Sequence, residues 1–98
     1  MSPSDLPGPY HGIHPAPPQA GWEKVAWQEC FSRATRIRVH EHTCECKKIV
    51  YELCQAGGLI FVRRLYRASD GTAVLETEWL RPALARQLWM RILLGQMR

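Results

Sequence analysis

IVYELCQAGGLIFVRRLYRASDGTAVLETEW, residues 49–79, reads as three strands joined by two glycine-containing turns. The runs Ile49 to Cys54, Leu59 to Arg67 and Ala73 to Trp79 are strand-like, and Gly57-Gly58 and Asp70-Gly71 accept the positive φ angles of two-residue hairpin loops. Counting outward from each turn sets the pairing. Leu53 then faces Val62, which faces Trp79, and Ile49 faces Tyr66, which faces Leu75, so that one face is apolar. On the other face Glu52, Arg63 and Glu78 alternate in charge as cross-strand neighbours, and Leu65 lies between Val50 and Glu76. This register predicts Trp79 in the core.

A helix follows from Pro82, a residue suited to the first helical position, and Gly95 supplies its stop. At 100° per residue, Leu84, Ala85, Leu88, Trp89 and Ile92 fall on a face that can cover the sheet. Ala83, Met90 and Leu94 form a second apolar strip, set off by Arg86, Gln87 and Arg91. One small sheet cannot bury both strips. Either the amino-terminal segment folds over the second, or the chain self-associates through it as a homodimer.

Upstream, residues 1–21 hold six of the seven prolines and three of the seven glycines, which predicts a disordered Pro-rich arm before a single domain at 22–98. Trp22 to Phe31 has the spacing of a short helix without a convincing cap. Thr35, Ile37 and Val39 alternate with Arg36, Arg38 and His40 as a fourth strand, which can pair with Lys47 to Cys54 through Glu41 to Cys46. The expected fold is α+β: an antiparallel sheet of three or four strands with the carboxy-terminal helix packed on one face.

The chain has 98 residues, a formal charge of +4 and a pI near 9.1, with 13 Lys and Arg against 9 Asp and Glu. That excess suits an acidic partner without naming one. No apolar run reaches membrane-spanning length, and Met1 to Pro7 lack the features of a secretory signal, so a cytoplasmic protein with reduced cysteines is expected.

Three constellations could carry chemistry. Cys44, Cys46 and Cys54, joined by His42, are soft donors of the kind zinc takes, though their spacing lacks the paired C-x-x-C knuckles of a strong zinc motif. The competing reading places Cys54 as a small hydrophobe beside Phe61 and the other two thiols in a turn, with no resident cofactor. Arg36, Arg38, Arg64 and Arg67 could form a basic sheet face for nucleic acid, although much of the interspersed charge has internal partners. Nucleophilic catalysis would need a thiol, a base and a cavity, and no such arrangement is evident, so a non-enzymatic chain is expected.

Thr43-Cys44-Glu45-Cys46, Val50 to Gly58, Phe61-Val62-Arg63-Arg64 and Glu76-Thr77-Glu78, with Ala85, Trp89 and Leu93 to Gln96, resemble a family of small actinobacterial proteins close to the BldB-type developmental regulators of streptomycetes. The likeness spans residues 43–98 and carries no catalytic residue. It implies an accessory regulator of morphological differentiation, sporulation and antibiotic production, acting through protein contacts, often with a helix-turn-helix partner in transcription regulation.

Overall fold

The computed structural model describes residues 12–30 and 36–98, so Phe31 and Thr35, at the ends of two predicted elements, lie outside the described residues, as do residues 1–11 of the arm. The architecture is α+β, with a five-stranded antiparallel sheet instead of three or four strands. In chain order the elements are β1 (Gln28–Glu29), β2 (Arg38–His42), β3 (Ile49–Ala56), β4 (Leu59–Ala68), β5 (Gly71–Glu76) and α1 (Pro82–Leu93). The sheet order is β1-β5-β4-β3-β2.

The first hairpin takes the predicted register, pairing Leu53 with Val62 and Ile49 with Tyr66 around Gly57-Gly58. Gly57 carries the positive φ, 60°, inside that loop. In the second hairpin the loop moves back by one residue and each cross-strand pairing shifts by two. Its loop is Ser69-Asp70, Ala68 pairs with Gly71, and the positive φ of 144° falls on Gly71 after the loop. Tyr66 therefore faces Ala73, Leu65 faces Val74, and Arg63 stands between Glu52 and Glu76 instead of Glu52 and Glu78.

Trp79 consequently leaves its expected place beside Val62. The Thr77 N–H donates to the Val62 carbonyl and the Thr77 hydroxyl accepts the Val62 N–H, but the next pairing joins Ile60 to Leu80, which inserts one extra residue as a bulge. Trp79 crosses to the opposite face and stacks on Phe61 with ring centroids 5.1 Å apart.

Two clusters result. The helix-covered face holds Tyr51, Leu53, Ile60 and Val62 against Val25, Ala85, Trp89 and Ile92. The other holds Cys54, Ala56 and Phe61 under Ile37 and Trp79. Within α1, Ala85, Trp89 and Ile92 are buried, but Leu84, predicted on the inward face, is 47% exposed.

The segment predicted as a helix at 22–31 is extended up to Cys30, the last residue described before the gap. Val25 and Trp27 turn inward while Ala26 and Gln28 are exposed, a period of two, and Gln28 and Glu29 pair with Glu76 and Leu75. Residues 12–21 are pinned along the molecule: Ala16 and Gln19 donate backbone N–H groups to the carbonyls of Leu93 and Gly95. Gly95 sits at φ 77°, and a Cβ there would run into the Pro17 carbonyl. No described helix is long and apolar enough to cross a membrane.

Candidate metal centre

β2 ends at His42, and Thr43 follows it, a fully buried residue whose hydroxyl accepts the Tyr51 N–H at 2.9 Å and whose own N–H donates to the Tyr51 carbonyl at 2.9 Å. These bonds fix where the chain leaves the sheet. Cys44 follows, buried, and its N–H donates to the Ile13 carbonyl at 2.7 Å. Ile13 runs parallel to Thr43, and a Cβ on Gly12 would lie within 3.9 Å of Cys44 Cα. The amino-terminal segment thus lies backbone to backbone against Thr43-Cys44, which delivers His14 to the thiols.

The side-chain donor atoms of His14, Cys44 and Cys46 all lie within 4.8 Å of one another. Cys46 Sγ and His14 Nε2 are 3.4 Å apart. Sulfur and nitrogen on one tetrahedral zinc, at ordinary bond lengths, stand about 3.6 Å apart. The pair already sits at coordination distance. A hydrogen bond with Cys44, aided by burial and by proximity to that thiol, raises the Cys46 pKa above its ordinary value.

Of the residues singled out from sequence, Cys44 and Cys46 meet here, but Cys54 and His42 do not. Cys54 lies fully buried on the far face beneath Phe61, and burial pushes its thiol up to about 11. His42 turns its Nδ1 to the Thr43 carbonyl at 2.9 Å. His14 carries no local sequence signal, since it is 30 residues from Cys44 and belongs to no metal motif.

The four arginines do not form one face. Arg38 and Arg64 share a face with Gln55 and Tyr51, whereas Arg67 has the opposite strand parity and Arg36 precedes β2. Arg64 lies over the Trp27 ring at 5.8 Å, and Arg67 Nη2 donates to the Lys47 carbonyl at 2.8 Å. Two of the four are thus engaged internally.

The helix strip is open in the chain as described: Ala83 is exposed, Met90 is 53% exposed and Leu94 45%. On the far sheet face, fully buried Glu76 accepts the Cys30 thiol at 3.3 Å, and Arg63 binds Glu52 at 2.7 Å. Burial first, then the bond and charge of Glu76, raise the Cys30 pKa. Comparison with protein-family models, curated proteins and solved structures found no match.

Proposed function

We propose that this chain is a small zinc-binding regulatory module that works through protein contacts. The observation that carries the metal reading is the His14, Cys44 and Cys46 donor set, drawn from two segments far apart in sequence and held within 4.8 Å. Imidazole and thiolate are the donors zinc prefers, and zinc here would tie the amino-terminal segment to the end of β2. Such binding energy is folding energy for the tied segment. A binding role, in place of catalysis, is supported by Cys30 and Cys54, the thiols outside the donor set, whose pKa values burial raises and which are therefore poor nucleophiles.

The exposed strip of Met90, Leu94 and Ala83 supports contact with a second copy or another protein. The sequence resemblance adds the expectation of a helix-turn-helix regulator as that partner, in developmental or antibiotic-production control in the cytoplasm. Direct nucleic-acid binding is disfavoured by the division of the four arginines between faces.

Elemental analysis of the full chain, purified without chelator, should find one zinc per molecule. Cys44→Ser, Cys46→Ser and His14→Ala should each lower that content, whereas Cys54→Ser and His42→Ala should leave it unchanged. Cobalt substitution should give thiolate-to-metal absorption. A chain without zinc that also fails to bind cobalt, or zinc lost with Cys54 and not with His14, would overturn the assignment.

A further inference from the structure

A cleft of about 350 Å³ opens between the amino-terminal segment and the start of β3. Its first wall is Pro15-Ala16-Pro17-Pro18, where three of four residues lack an N–H and present apolar rings. Ile49, Tyr51, Ile92 and Met97 contribute its apolar floor. Lys47, Lys48 and Arg98 stand at it as well, and no acidic residue lines it. The volume falls within the range of small-ligand pockets.

These cations are on an anchored framework. Arg67 donates from its backbone N–H to the Lys48 carbonyl and from its guanidinium to the Lys47 carbonyl, both at 2.8 Å, which fixes the backbone of the two lysines. Arg98 packs over the Trp22 ring at 5.7 Å while its N–H donates to Glu23 at 3.0 Å. The opposite wall is held by Ala16 N–H on Leu93 and by the close approach of Pro17 to Gly95. Apolar walls with three cationic side chains and no acidic side chain match a ligand that has an apolar body and one negative end.

We infer that this cleft binds a small amphipathic monoanion, such as a medium-chain carboxylate, with its chain against Ile49, Met97 and the proline rings and its carboxylate at Lys47 and Lys48. This site adjoins the metal centre, with Pro15 following His14 and Lys47 following Cys46, so zinc content is measured beside ligand binding for every variant. Neither lysine is buried, so reversing their charge leaves the core intact.

The test is calorimetric titration of the full chain with decanoate, and in parallel with uncharged decanol. Saturable one-to-one binding of decanoate is expected, with decanol weaker by about tenfold, the scale of a charge-assisted contact. The Lys47→Glu, Lys48→Glu double variant should lose about the same factor for decanoate while keeping its melting temperature. Equal affinity for acid and alcohol, unchanged binding by the double variant, or no saturable binding would overturn the site. So would preferential capture of an acidic peptide that excludes decanoate, because the cleft would then be a protein contact.

Discussion

The central strand β4 and the segment at residues 12–25 are held by different forces. Ile60, Phe61 and Val62 are at most 4% exposed, and each buried side chain of this kind contributes about 1.5 to 3 kcal/mol. Along the segment, Ile13 and Trp22 remain 40% and 44% exposed, and Val25 is its one buried hydrophobic residue among those described. Its attachment is largely main-chain, Ala16 to Leu93, Gln19 to Gly95, and Glu23 with Gln96 and Arg98, supplemented by the exposed Arg91–Glu23 ion pair and the Gln19 amide on the Leu94 carbonyl. Such bonds contribute about 0.5 to 1.5 kcal/mol net each. The sheet should therefore open only with the whole molecule, while the segment can detach locally at lower cost.

The largest effect should come from Phe61→Ala, about 3 to 5 kcal/mol in urea unfolding, because it empties a fully buried site in the second cluster. Trp79→Ala should cost less, about 1 to 3 kcal/mol, since the ring is only partly buried and stacks on Phe61 from outside. Equal losses would mean that the far face is sealed as deeply as the helix-covered one. A loss below 1 kcal/mol for Phe61→Ala would remove the contrast with the segment altogether.

Gly95→Ala acts on the weaker attachment. The positive φ costs an alanine roughly 1 to 2 kcal/mol, and its Cβ meets the Pro17 carbonyl. Amide exchange at Ala16 and Gln19 should accelerate well before that at Leu53 and Val62. Uniform acceleration would show that the segment and sheet form one cooperative unit.

The same difference in forces explains what could be read from residues alone. Side-chain burial imposes periodicity, so the β3–β4 register, the antiparallel architecture and the Pro82 helix start were legible. A glycine marks a turn without stating whether its positive φ lies inside the loop, as at Gly57, or after it, as at Gly71. That ambiguity shifted each pairing of the second hairpin by two residues, and the bulge before Leu80 then carried Trp79 to the other face. Main-chain bonds leave almost no compositional trace, which hid the docking of residues 12–21. Val25 and Trp27 did carry a period-two signal, obscured by Trp22 and Cys30 at helical spacing. For the metal cluster, Cys44 and Cys46 were visible as donors, but His14 reaches them through the Ile13 to Cys44 backbone contact, which no local spacing encodes.

The smallest effect distinguishes the two sheet faces by pH. Cys54 is a thiol with an ordinary pKa of 9.0, pushed to about 11 chiefly by burial, with Arg63 opposing and Glu52 and Glu76 adding to the rise. The folded state holds the proton more tightly than the unfolded chain. Its contribution to stability is therefore complete below pH 9, declines as pH rises from 9 towards 11, and is gone above the folded value. Tyrosines and lysines titrate in the same range, so the informative quantity is the stability difference between the parent and Cys54→Ala as a function of pH. Alanine leaves a small cavity whose cost is independent of pH, and the parent's advantage should shrink only in the alkaline window. The corresponding difference for Cys30→Ala, an exposed thiol outside the metal donor set, should be smaller because solvent reaches that group in the fold. A Cys54 difference that stays flat through pH 11 would show that water already reaches the far face, and that Trp79 and Ile37 cover it less completely than the helix covers the other.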